Sequence, residues 1–300
     1  MIRQAIVAGQ FYPDKKDEII SLINTYNRGI DEELPLEIIN KNIIAGIVPH
    51  AGYFFSGKCA NKVFYAIKKS SELLNKNIDT FIILGPNHTG VGRTGISNQD
   101  WETPLGIVKV NHDMINKLTN SGLIVDNSGH EFEHSIEVQL PFIKHYFPGS
   151  TIIPVIISSE LSVAKVADAL ANVISKEENK NICIIASSDF THYGSDYGYM
   201  PFTYDVKNNM AKLDKEAISY ILNLDKEKFY SFLKNTGATI CGFMPIATII
   251  ETLNKIKTNK TVYNPSYNIK AKLLEYYTSG DVVGNYKNCV GYAGIVFYNP

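Results

Sequence analysis

The chain has 300 residues, 45% hydrophobic and 20% charged, the makeup of a globular protein long enough to bury a large core. Lys and Arg number 29 against 30 Asp and Glu, for a net charge of −1; without a basic run or an arginine stripe, this excludes a nucleic-acid binder that works by electrostatic attraction. No apolar stretch nears the ~20 residues that cross a bilayer, the start MIRQAIVAGQFYP lacks the order of a secretory leader, and four scattered cysteines (Cys59, Cys183, Cys241, Cys289) exclude a disulfide scaffold, so the expected location is cytoplasmic and reducing.

Apolar residues at 19, 20, 22, 23 and 26 behind an acidic start predict a helix over Asp14–Asn27, and Pro35 breaks the stretch that follows. Ile43–Val48 is a continuous apolar run, the pattern of a strand buried on both faces. Gly57–Lys69 reads as a helix and Phe81–Leu84 as the next buried strand. That order implies parallel pairing through a right-handed crossover. Gly90–Val110, rich in Gly and Thr, reads as short strands and loop, and His112–Ser121 as a helix. His134–Tyr146 reads as a helix kinked or interrupted at Pro141.

Thr151–Ile157 reads as a strand, Leu161–Ser175 as a helix and Ile182–Ala186 as another buried strand. Helices follow over Asp205–Asn223, Lys226–Lys234 and Pro245–Ile256, then strands over Ala271–Tyr277 and Gly291–Tyr298. Lys255–Asn268, rich in Lys, Asn and Thr, is the least ordered candidate. Helices alternating with buried strands, with neither repeat nor linker, predict a single α/β domain over 1–300. Its form is an α/β/α sandwich around a mostly parallel or mixed central sheet.

Four apolar stretches stop at residues fit for metal or acid–base chemistry. They are IIAGIVPH ending at His50, FIILGPNH ending at His88, ICIIASSDFTH ending at His192, and TICG carrying Cys241. In an open α/β sheet, ligands bind beyond the carboxyl ends of the strands, so the histidines of these stretches are expected to meet at one sheet edge. His50 and His88 each stand between a strand and a glycine turn, and histidine is the commonest metal ligand. Asp189 and His192 form a candidate acid–base pair or a pair that orients ligands. Cys241 lies just ahead of a helix start near Pro245, where a thiol is expected to be favoured as thiolate.

Two literal motif matches compete. His130-Glu131-Phe132-Glu133-His134 is an HExxH, which on a helix would make a zinc hydrolase with Glu131 as base; Gly129 just before it, Pro141 soon after and the missing metzincin extension argue against that. Gly90-Val91-Gly92-Arg93-Thr94-Gly95 is a GxGxxG with no helix predicted after it, so it fails as a dinucleotide site.

Taken together, AGQFYP (8–13), IVPHAGYFFSG, ILGPNHTG, EHSIEVQLPF (133–142), SSDFTHYG, TICGFMPI and VGYAGI resemble the Memo family, called AmmeMemoRadiSam system protein B in prokaryotes. The matches run in order from residue 8 to residue 295. The resemblance implies a fold like that of the class III extradiol dioxygenases, where two histidines and a carboxylate hold non-haem iron and a further histidine does acid–base work. Carried over, His50 and His88 are metal ligands, Cys241 stands in the carboxylate's place, and His192 with Asp189 is catalytic.

Tyr53, His134 and Glu137 are expected to line the pocket, with Glu133-His134-Ser135 the family's own element. A thiolate in place of a carboxylate softens the site toward copper or zinc, with iron still open. The function implied is a non-haem, dioxygenase-like oxidoreductase acting on a small molecule. The alternative is a non-catalytic module that captures a peptide or phosphorylated ligand, for which the loop aromatics Tyr53, Phe54, Tyr193, Tyr197 and Tyr199 speak. The resemblance also implies a functional link to a radical-SAM protein and an AMMECR1-type protein.

Overall fold

The fold was taken from a computed structural model that describes residues 1–258 and 268–300. In chain order the strands are β1 (Ile2–Arg3), β2 (Asn42–Val48), β3 (Thr80–Pro86), β4 (Gly95–Ile96), β5 (Asp100–Trp101), β6 (Thr151–Ile157), β7 (Ile182–Ser187), β8 (His192–Tyr193), β9 (Lys270–Thr278) and β10 (Cys289–Asn299). The helices are α1 (Lys16–Tyr26), α2 (Ile30–Glu33), α3 (Leu36–Ile39), α4 (Tyr53–Leu73), α5 (His112–Asn120), α6 (Leu140–Tyr146), α7 (Leu161–Ile174), α8 (Val206–Leu222), α9 (Lys226–Thr236), α10 (Phe243–Thr258) and α11 (Ser279–Val283).

One mixed sheet runs in the order β4-β6-β3-β7-β2-β10-β8, with β9 added on β10, while β1 and β5 pair separately. Its centre, β6-β3-β7-β2, is parallel, and β4, β10, β9 and β8 join antiparallel. The parallel strands are the continuous apolar runs of the sequence. β3, β6 and β7 are buried along nearly their whole length because helices cover both faces.

The sheet order explains those two faces. The connection through α4 carries the chain from β2 to β3 in one direction across the sheet, and the connection through α7 carries it from β6 to β7 in the other. Right-handed crossovers running opposite ways place their helices on opposite faces. Accordingly α4 packs on β2 and β10 with α1, α3 and α6 against it, whereas α10 packs on β7 and β3 and against α7. The fold is thus α/β with a mixed sheet, and among the described residues no helix is long and apolar enough to cross a membrane.

Two local expectations need correction. The 134–146 segment is not one kinked helix: it passes through a 3-10 turn at Glu137–Gln139 before α6. Pro141 sits in the first turn of α6, where a missing N–H leaves no helical hydrogen bond unmade. The helix expected from Gly57 begins at Tyr53, directly after the His50 turn. Within the stretch expected to be least ordered, Lys255–Thr258 completes α10, and 259–267 lies outside the described residues.

Candidate metal centre

Strand register builds the site. Val48 pairs with Ser187 and Leu84 with Ala186, so the turns leaving β2, β3 and β7 emerge side by side. His50, His88 and Asp189 each stand two residues past a strand end. The His50 ring is buried, His88 is exposed, and their centroids lie 5.2 Å apart. His134 stacks on His88 at 4.9 Å and meets His50 edge-on at 5.5 Å.

Cys241 arrives by a different route, two residues ahead of α10 and next to a bridge between Ile240 and Thr191. Glycine at 242 makes the approach possible: a Cβ there would lie 2.4 Å from Ser188 Cβ and 2.5 Å from the Ser187 carbonyl oxygen. Cys241 Sγ thereby reaches 3.2 Å from His50 Nε2. Gly85 plays the same part at the end of β3, where a Cβ would lie 2.7 Å from Ser135 Oγ. The 133–136 loop therefore packs directly on that strand and brings Glu133 to His88.

The ring nitrogens can be assigned from their partners. His88 Nδ1 lies 3.0 Å from Glu133 Oε1, while its backbone amide donates to Oε2 at 2.6 Å. Burial pushes the Glu133 carboxyl up, but the His88 ring and the amides of His88 and Ser135 outweigh it and bring it down to about 2. An ionised carboxylate only accepts, so Nδ1 of His88 carries a proton and Nε2 is the nitrogen left for another partner. His192 Nδ1 faces the carbonyls of Phe190 at 3.0 Å and Thr239 at 3.1 Å. These too only accept, so the lone pair of His192 is again on Nε2.

The charge balance favours neutral ligands. Burial, reinforced by the neighbouring His88, His134 and His192, drives the His50 pKa well down, so its ring is neutral, the form that binds metals. Burial raises the Asp189 carboxyl, opposed by His192 and by the amides of His50 and Ala51 that donate to Oδ1 at 2.8 and 3.3 Å. The expectation for Cys241 is reversed: burial, then the Asp189 carboxylate, pushes its thiol well above the ordinary value. One residue, Gly242, separates it from the helix start, and the loss of solvation on burial dominates.

His50, His88 and Cys241 offer one ligand atom each, all within 4.8 Å of one another. Asp189, His192 and Cys241 form a second such set, and His88, Glu133 and His134 a third. Nitrogens and sulfur bound to one tetrahedral ion stand roughly 3–4 Å apart given metal–ligand bonds of about 2.0–2.3 Å, so the first set fits an ion with a small inward adjustment. Its imidazoles and thiol suit zinc, copper or iron.

Other expected site residues lie elsewhere. Tyr53 is buried, donates to the Val138 carbonyl at 2.8 Å and stacks on Phe142; it belongs to the core rather than to a pocket wall. Glu137 is fully buried, paired with Arg3 at 2.5 Å and accepting from Val7 N and Tyr12 OH, so it anchors the amino-terminal segment instead of lining the site. The HExxH reading also fails. His130 ends a 3-10 turn at Ser128–His130, its Nε2 lies 3.2 Å from the Gly95 carbonyl, and its ring meets Trp101. No helix spans 130–134, so His130 and His134 do not converge. The GxGxxG stretch runs into β4, with no helix after it.

The neighbours that sequence reasoning passed over are Glu133 as the partner of His88, Ser187 beneath His50, and Gln139 beside Ser187. The signal for Glu133 was its place in the Glu133-His134-Ser135 element, which does not say which histidine it holds.

Comparison with known proteins fits this arrangement. A family model described as Memo-like protein matches residues 3–296. A MEMO1 family protein of Methanosarcina barkeri is 37% identical over 299 residues, covering 98% of this chain and 99% of its own. One from Nitrosopumilus maritimus is 36% identical over 308 residues, with 99% and 100% covered. One from Pyrococcus furiosus is 36% identical over 309 residues, with 99% of each covered.

Proposed function

The chain belongs to the Memo-like family, and from that premise we propose that it is a metal-dependent redox enzyme of dioxygenase-like type acting on a small molecule. The observation that carries the proposal is the convergence of His50, His88 and Cys241 at the carboxyl edge of the sheet. These three residues would hold the ion, which when bound supplies Lewis acidity and, if it is iron or copper, electron transfer. The parallel strand ends and the two-histidine set support kinship with class III extradiol dioxygenases, with a thiol where those enzymes have a carboxylate.

The remaining residues divide the proton chemistry. His192 holds a proton at Nδ1 against two carbonyls and presents Nε2 as a base. Asp189 fixes the His50 turn by accepting from two backbone amides. Glu133 orients His88, as carboxylates do for metal-binding histidines. The test is metal content after purification without oxygen. The wild-type chain is expected to retain an ion and the doubly substituted His50→Ala, His88→Ala chain to lose it; equal metal content in the two would sink the assignment.

A second reading rests on exposure. Phe54, four residues after His50, and Phe132, two residues before His134, are 72% and 63% exposed, and His88 is open to solvent. Those features favour a module that captures a peptide or phosphorylated ligand. Binding of such ligands that is unchanged by chelation of the metal would support this reading against the enzyme.

A further inference from the structure

We infer that Ser187, braced by Gln139, is a positioning residue that fixes which nitrogen of His50 is free to act. The inference builds on the reading of His50 as a ligand, but its physical basis is a complete accounting of one hydroxyl group. Among the described residues, Ser187 Oγ has three hydrogen-bond partners: the Ser135 carbonyl oxygen at 2.6 Å, Gln139 Nε2 at 2.9 Å and His50 Nδ1 at 2.9 Å. The carbonyl has no proton to give, so the short contact to Ser135 takes the single hydroxyl proton of Ser187. The Gln139 amide nitrogen can only donate, and it takes one lone pair of Oγ. One lone pair remains, facing His50, and the ring nitrogen opposite it must donate.

Consequently Nδ1 of His50 keeps the proton, and the lone pair is on Nε2, which faces Cys241 Sγ at 3.2 Å. The orientation of the Gln139 amide is settled by its other contact. Nε2 also lies 2.9 Å from the Pro49 carbonyl oxygen, and the flipped amide would set two acceptors against each other. Gln139 is fully buried, and among the described residues its Oε1 has no partner. A buried acceptor left unpaired is costly, so the benefit of this side chain lies in its two donors, which tie the end of β2 to Ser187. With His88 and His192 already assigned, all three histidines present Nε2, each through a different acceptor behind Nδ1.

The test is long-range proton–nitrogen NMR of the full-length, ¹⁵N-labelled chain stripped of metal, with the His50 signals identified by their loss in His50→Gln. The wild type is expected to show His50 protonated at Nδ1; protonation at Nε2 overturns the inference whether or not any variant folds. In Ser187→Ala the acceptor is gone, and a population protonated at Nε2 should appear for His50 alone, with His88 and His192 unchanged as internal controls. Gln139→Met should shift His50 the same way to a smaller extent. Zinc affinity of Ser187→Ala should fall about 10–100-fold, the usual effect of losing an outer partner of a metal-bound histidine. An unmoved His50 in Ser187→Ala, or all three rings moving together, overturns the inference. Should the wild type take up no zinc while the tautomers behave as stated, the ligand reading fails and the role of Ser187 stands.

Discussion

Glu133 grips His88 at two points: Oε2 accepts the backbone amide at 2.6 Å and Oε1 accepts Nδ1 at 3.0 Å. The carboxylate thus fixes both where the residue sits and which way its ring turns. Glu133→Gln keeps the shape but sets an NH₂ group against one of two donors. Metal affinity, read by chelator competition, is expected to drop about 10–100-fold with the circular dichroism spectrum unchanged. Wild-type affinity in this variant would show that His88 does not depend on the pair.

His130→Ala separates the strand-end site from the HExxH motif. His130 is buried against Trp101 and the Gly95 carbonyl, so truncation leaves a cavity and an unpaired acceptor. A stability loss on the order of 2–4 kcal/mol in urea unfolding is expected, with metal content intact. Loss of metal without loss of stability would return the motif to consideration.

These two histidines also show what the sequence discloses. Doubly buried parallel strands appear as unbroken apolar runs, and their carboxyl ends must share an edge, so His50, His88 and Asp189 were legible as one site. Cys241 was placed with them only by the family resemblance, because its position depends on the Ile240–Thr191 bridge and on the close approach at Gly242, both tertiary. The choice between Glu133 and Glu137 was equally hidden. The segment has no regular period from which to read a facing side, and Arg3, 134 positions away, claims Glu137 for the amino-terminal anchor. The HExxH spacing matched a helical motif by pattern alone, and the local signals against it, Gly129 and Pro141, agree with the backbone that turns after His130.

Asp214 gives a pH dependence with a definite sign. It is buried with Oδ1 accepting from Thr191 and Oδ2 from Tyr276, and burial raises its carboxyl from 3.8 to about 6. The folded chain therefore holds this proton more tightly than the unfolded one. Its contribution costs nothing below about pH 4, where both states are protonated, and becomes progressively destabilising as pH rises to about 6. Beyond that it levels off at a cost on the order of 3 kcal/mol. Other carboxylates slope the opposite way, so the quantity to measure is the stability difference between wild type and Asp214→Asn. That difference should move in favour of the variant between pH 4 and 6 and stay flat above; a difference independent of pH would refute the buried neutral acid.

Gly242→Ala tests whether close backbone approach is what delivers the thiol. The added Cβ would fall 2.4 Å from Ser188 Cβ and 2.5 Å from the Ser187 carbonyl oxygen, contacts that neither a rotamer change nor a flexible side chain can relieve. The backbone must shift, carrying Cys241 away from His50 Nε2 and disturbing the hydrogen bond that the Gly242 amide donates to Ser188 Oγ. The expected cost is about 1–3 kcal/mol of stability, together with weaker metal binding, because the sulfur and nitrogen no longer meet. Gly149→Ala is the control: a Cβ there meets nothing within 4 Å, and stability and affinity should both stay near wild type. If Gly242→Ala lost stability yet bound metal as well as the control, the ion would not depend on Cys241, and the two histidines would have to find their third ligand among Glu133, His134 and His192.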